Sequence, residues 1–107
     1  MSNNDYKLIK LAAGYIADKM YKRHGVPLSV YLFGSRSNGT SRFGSDYDFC
    51  IFLDRSPSKL EASKCDDLEH ELRQLFSEMF TIFCFVKQDG CCLPPNFAIK
   101  HIIDKKQ

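Results

Sequence analysis

YLFGSRSNGTSRFGSDYDFCIFLD, from Tyr31 to Asp54, is the stretch whose reading decides the fold. An apolar strand runs into Gly34-Ser35, a Gly/Ser-rich turn with two arginines follows, and a second strand opens with Asp46-Tyr47-Asp48. On that strand the period of two puts Asp46, Asp48, Cys50 and Phe52 on one face, and Tyr47, Phe49, Ile51 and Leu53 on the other. Two carboxylates two residues apart on a strand point the same way, about 6.5–7 Å apart along the backbone, so their side chains can converge on one cation. The preceding strand, Leu28 to Phe33, is apolar on both faces, as expected for a strand covered on two sides.

Outward from this centre the chain alternates helices and strands. Asp5 to His24 has helical spacing (Leu8, Leu11, Ala12, Tyr15, Ile16, Lys19, Met20), with Asn4 or Asp5 as cap. Lys22, Arg23 and His24 suit its negative end, and Gly25 stops it. Arg36 to Thr40 can form one helical turn. After the second strand, Ser56 or Ser58 caps a long helix whose stripe is Leu60, Lys64, Leu68, Leu72, Leu75, Phe76 and Met79. Asp66, Asp67, Glu69, His70 and Arg73 fall on what should be its solvated face. FTIFCFV, Phe80 to Val86, reads as a third strand buried on both faces. Pro94-Pro95-Asn96 then introduces a short helix packing through Phe97, Ile99, Ile102 and Ile103. The expectation is a single α+β domain over residues 1–107, a small mixed three-stranded sheet covered by helices in the order α-β-α-β-α-β-α.

Composition narrows the function classes. The 107 residues suit one core, and 44% apolar content makes disorder a poor description. A net charge of +2 gives no strong nucleic-acid or membrane signal. The five cysteines are odd in number, contain no C-x-x-C pair, and in part lie within apolar patterns. They are expected to be reduced structural thiols of a cytoplasmic protein. The polar start, MSNNDYKLIK, has no signal-peptide core, and no run approaches a membrane span.

The chemistry open to the central stretch is phosphoryl transfer. Backbone N–H groups at a strand-to-helix turn bind phosphate oxygens, and small residues let the phosphate approach. Carboxylates hold the divalent ions that bridge phosphates. Gly34 and Ser35 offer the first part and Asp46 and Asp48 the second, while Arg36 or Arg42 can offset phosphate charge.

Together these residues match G-S-x10-D-x-D, the ten intervening residues being Arg36 to Ser45. That pattern resembles the polymerase-beta-type nucleotidyltransferase superfamily, and in size and in its Gly-Ser-Arg turn the chain resembles the minimal nucleotidyltransferases. The resemblance implies a polymerase-beta-like core in which Gly34, Ser35 and Arg36 bind a nucleoside triphosphate, ATP above all, and Asp46 and Asp48 ligate Mg²⁺ as the catalytic pair. It further implies an antitoxin that adds AMP to a tyrosine of a HEPN-type ribonuclease toxin. An oligomer is a further possibility, since the acceptor would come from another protein or a second copy. Active members usually carry a third carboxylate on the strand after the long helix, as metal ligand and general base; FTIFCFV contains no acid. Asp54 shares the parity of Asp48 but lies about 20 Å along an extended strand. Of the possible substitutes as third metal ligand, Asp89 is the best placed, though it could return to the pair only through a loop, whereas Glu69 or Glu71 would have to leave the helix surface. The alternative to an enzyme is therefore a catalytically degenerate module that neutralises a partner by masking it.

Overall fold

The computed structural model describes residues 3–34, 46–54, 63–86 and 99–106. Two helices, α1 (Asn3–His24) and α2 (Asp66–Phe76), pack on one face of a five-stranded mixed sheet. Its strands are β1 (Leu28–Phe33), β2 (Tyr47–Leu53), β3 (Ser63–Lys64), β4 (Phe80–Val86) and β5 (Ile99–Lys105), in spatial order β3-β4-β2-β1-β5. β2 and β4 are parallel, and the other neighbours are antiparallel. The α+β class expected from the sequence holds, with two more strands than expected.

The core lies between helices and sheet. Tyr47, Phe49, Ile51 and Leu53 of β2 are all at most 1% exposed, as their parity requires. They meet Leu28, Val30 and Leu32 of β1 and Phe80, Ile82 and Cys84 of β4. α1 contributes Ile9, Ala12, Ala13, Ile16, Ala17 and Met20. Its three buried alanines let the helix lie close to the sheet, and they turn the helix so that Leu11, expected in the core, is 65% exposed. Gly25 ends α1 at φ 68°, donating its N–H to Tyr21 O at 2.7 Å. α2 ends the same way at Ser77, φ 57°, whose N–H reaches Arg73 O at 2.9 Å.

Three expectations change. The long helix begins at Asp66, because Ser63 and Lys64 pair with Cys84 and Phe83 of β4 instead of extending the helical stripe. A bare strand edge outcompetes local helix propensity here. Second, the expected last helix is a strand: β5 pairs antiparallel with the free edge of β1, with a bulge that leaves Ile102 between the partners of Val30 and Tyr31. Ile99, Ile102 and Ile103 carry helical spacing, but β-branched residues suit the pleat. Third, Glu69 is not on a solvated face. It is 2% exposed, and its Oε1 accepts the Ile82 N–H at 2.8 Å. The Arg36–Thr40 turn and the Pro94–Asn96 segment fall outside the described residues.

Candidate active site

The candidate site forms where β1 ends and β2 and β4 begin, on the sheet face away from the helices. Tyr47 aims it. Its ring is 1% exposed and stacks on Phe80 at 5.4 Å, and its N–H donates to Met79 O at 2.8 Å. With Tyr47 anchored inward, strand alternation sends Asp48 to the opposite face and leaves Asp46 exposed ahead of the strand.

Asp48 sits opposite Phe33 in the β1–β2 ladder, so the residue after Phe33 passes beneath its carboxylate. That residue is Gly34, at φ 78°. A Cβ there would lie 2.6 Å from Asp48 Oδ2, inside van der Waals contact. Glycine is therefore required twice at one position, for its left-handed backbone and for the closeness of the acid. Gly34 and Asp48, joined in the sequence only by a motif, touch in space.

Asp48 is half-buried, and its carboxyl titrates above the ordinary range. Desolvation is the main cause, the negative charge of Asp46 adds to it, and a hydrogen bond from the Thr81 hydroxyl opposes both. Thr81 stands directly opposite Asp48 in the parallel β2–β4 ladder. Thr81, Phe83 and Phe85 are thus the β4 side chains on the site face, and none is an acid. Sequence reasoning did not single out Thr81, although the parity of FTIFCFV, once registered on β2, identifies it.

The other acids are placed elsewhere. Asp54 lies at the far end of β2, exposed, its N–H bonded to Pro27 O at 2.9 Å. Glu71 accepts the Tyr15 hydroxyl at 2.8 Å in the helical layer. Glu69 is fixed to the outer side of β4, so neither glutamate reaches Asp48. Ser35, Arg36, Arg42 and Asp89 lie outside the described residues. Among the described residues no cluster of three metal-ligating side chains occurs.

The donor set suits a hard divalent cation. Asp46 and Asp48 offer oxygen ligands, their mutual repulsion and the desolvation of Asp48 are both relieved by a cation, and glycine leaves room beside Asp48 Oδ2. Cys50, next on the same face, is no ligand for such an ion: burial and the nearby Asp48 charge push its thiol up to about 12, so it stays protonated. Cys50, Cys65 and Cys84 are all free and buried, as expected for structural thiols. Tyr31, Phe52 and Phe85 continue the face away from the acids, with ring centroids 5.4 and 5.5 Å apart.

A mixed sheet with helices on one face thus seats Gly34 against the Asp48 carboxylate, and it is the site, not the architecture, that has to carry any functional reading. A family model, polymerase beta nucleotidyltransferase, matches residues 17–92, more than half of the chain, and the protein belongs to that family. The match spans the Gly34 turn, the aspartate pair and β4. Members generally use a nucleoside triphosphate and a divalent metal. Searches of curated proteins and of solved structures each return no match. No helix among the described residues is long and apolar enough to cross a membrane.

Proposed function

We propose that the protein is a Mg²⁺-dependent nucleotidyltransferase that moves AMP from ATP onto a hydroxyl of a partner protein. The observation that carries this reading is the seating of Asp48 against Gly34, which sets a phosphate-binding turn and a metal-binding carboxylate side by side. Asp46 and Asp48 would hold the ion, with phosphate oxygens and water as its remaining ligands. Bound there, Mg²⁺ would supply charge neutralisation for the triphosphate and the developing negative charge of transfer. Gly34, followed by Ser35 and Arg36, binds the triphosphate; the acceptor oxygen replaces pyrophosphate on the α-phosphorus, and pyrophosphate and a proton are released. The finer reading, from resemblance, is a cytoplasmic antitoxin whose acceptor is a tyrosine of a HEPN-type ribonuclease toxin.

One observation favours a second reading. Thr81 stands where a β4 carboxylate would face Asp48, so the general-base role has no acid there. Losing such a base commonly costs about 10²–10⁴-fold. In this reading the chain binds nucleotide and masks its partner without transfer.

Incubation with labelled nucleoside triphosphates, Mg²⁺ and the product of the adjacent gene separates the two. Label on the partner that vanishes with Asp46→Ala/Asp48→Ala supports the enzyme. A partner that is neutralised without label, by wild type and variant alike, overturns it in favour of masking.

A further inference from the structure

Cys65 and Cys84 meet at the β3 edge of the sheet. Ser63 stands opposite Cys84 in the antiparallel β3–β4 ladder and Lys64 opposite Phe83. The Cys65 N–H continues the pairing by donating to Ile82 O at 3.0 Å. Cys65 therefore shares the parity of Ser63 and is a diagonal neighbour of Cys84 on one face of the ladder. Both side chains enter the helix-side core, Cys65 5% exposed and Cys84 1% exposed. Both thiols are free, and they share a hydrogen bond.

The pair is asymmetric. Cys65 immediately precedes α2, and its side chain caps no N–H of the first turn. It sits instead in the positive field of the helix start, with the Arg23 guanidinium of α1 nearby. The hydrogen bond from Cys84 chiefly holds the Cys65 thiol below its ordinary range, and Arg23 adds to this, against burial and the charges of Asp67 and Glu69. Cys84, the donor in that hydrogen bond and enclosed by the core, is pushed up and keeps its proton. One sulfur is thus a nucleophile and the other a protonated thiol held against it, the arrangement of an attacking and a resolving cysteine. Neither belongs to the nucleotide site, since Cys84 packs on the face of β4 opposite Thr81.

We propose that Cys65 and Cys84 form a reversible disulfide within one chain when the protein meets a peroxide, making the pair a site of oxidative modification. The Cys65 thiolate attacks one oxygen of hydrogen peroxide. The O–O bond breaks, and the departing hydroxide takes up the proton that Cys65 gave up, becoming water. The Cys84 sulfur then attacks the Cys65 sulfenic acid: the S–S bond forms, the S–O bond breaks, and the second hydroxide leaves with the Cys84 proton as water. Two thiols lose two electrons, and one peroxide becomes two waters. The bond ties β4 to the start of α2, at an edge that β3 covers with only two residues. It closes α2 and the turn before β4 into a loop, which restricts the unfolded chain and stabilises the fold. The inference does not depend on the nucleotide reading.

Trypsin cleavage after Lys64, Arg73 and Lys87 puts Cys65 in peptide 65–73 and Cys84 in peptide 74–87, apart from Cys50, Cys91 and Cys92. The test exposes the full chain to graded hydrogen peroxide, alkylates the remaining thiols, and maps linked peptides by mass spectrometry without reductant. Peptides 65–73 and 74–87 should be the first to link and should separate on adding dithiothreitol. The thermal midpoint should rise on oxidation and return on reduction. In Cys84→Ala, which lacks the resolving thiol, dimedone should label a sulfenic acid on peptide 65–73. In Cys65→Ala, peptide 74–87 should stay unlabelled. The wild-type peptide map decides by itself should either variant misfold. Recovery of both thiols alkylated while other cysteines oxidise overturns the proposal. So does preferential linkage of either one to Cys50, Cys91 or Cys92, or a Cys65–Cys84 link that forms only after denaturation.

Discussion

Consecutive residues of β4 each serve a carboxylate, and the two carboxylates have opposite characters. Ile82 gives its N–H to Glu69 on the outer side of the strand, while Thr81 gives its hydroxyl to Asp48 on the β2 side. Glu69 is deeply buried, and its surroundings complement its charge: a backbone donor at 2.8 Å and the Arg73 guanidinium at 3.9 Å. Arg73 also donates to Phe80 O at 3.2 Å, tying helix to strand. Asp48 is half-buried, stands near a second carboxylate, and lies against a glycine. Burial therefore does not distinguish a structural acid from a binding acid; the sign of the neighbours does. Glu69 completes the sheet edge where β3 stops, whereas Asp48 is arranged to be completed by a cation.

The largest effect should come from breaking the asymmetry at Asp48. Asp48→Asn removes a metal ligand and is expected to lower Mg²⁺-dependent transfer at least about 100-fold, in the range for groups acting on developing charge. Stability should respond the other way. Neutralising a desolvated acid that faces Asp46 relieves repulsion, so the metal-free variant should melt no lower than wild type. A thermal scan showing a marked drop in Tm would make Asp48 a structural acid like Glu69 and erase the contrast.

Glu69→Ala probes the other side. It strands the Ile82 N–H and deprives Arg73 of its acid, for an expected loss of about 2 kcal/mol in chemical denaturation. Glu69→Gln should lose less, because the amide oxygen still accepts from Ile82. Nucleotide affinity of the folded fraction should not change in either variant. Gly34→Ala falls between the two classes. A left-handed non-glycine residue costs about 1–2 kcal/mol, and the added methyl displaces the Asp48 carboxylate as well. Stability and metal affinity should therefore fall together, read by denaturation and by calorimetric titration with Mg²⁺ or Mn²⁺.

The same contrast explains what the sequence could reveal. The Asp48 side was legible because strand parity is local: alternation from Tyr47 to Leu53 separates core from site without any tertiary information. FTIFCFV likewise announces a strand. The Glu69 side was hidden because its burial depends on a backbone N–H thirteen positions away, exposed only where the two-residue β3 ends. β3 itself has no local signal, since Ser63 and Lys64 continue a helical pattern. β5 misled for a related reason: its bulge at Ile102 breaks strand alternation and leaves isoleucines at helical spacing. Leu11 shows the limit within a correctly placed helix, where the alanines choose the buried face and leave a leucine outside. The Gly34–Asp48 contact was implied by the motif, but the placement of Thr81 needed the β2–β4 register.

Thr81→Val gives the smallest and most discriminating change. The Thr81 hydroxyl stabilises the Asp48 carboxylate against desolvation and the Asp46 charge, so its loss raises an already raised pKa. Metal binding requires the ionised form, and protons compete with it. The acid limb of Mn²⁺ binding should therefore lie at higher pH than an ordinary aspartate would place it, and move higher still in Thr81→Val. Stability carries the opposite sign. Because the folded pKa of Asp48 exceeds its unfolded value, its contribution is fully present below the unfolded pKa and lost as pH rises through the folded one. Relative to wild type, the metal-free valine variant should gain stability on acidification and lose it towards neutrality. Asp67 and Asp104 supply an internal control: the Arg23 guanidinium beside Asp67, and the Ser29 hydroxyl and His101 on Asp104, hold both carboxyls below their usual range. Their contributions are present above the ordinary aspartate pKa and fade as pH falls through the folded values. Both are unaffected by Thr81, so any variant-specific change in the acid limb belongs to Asp48. An acid limb unmoved by the substitution would mean that the hydroxyl does not tune Asp48, leaving Thr81 as a packing residue beside the site.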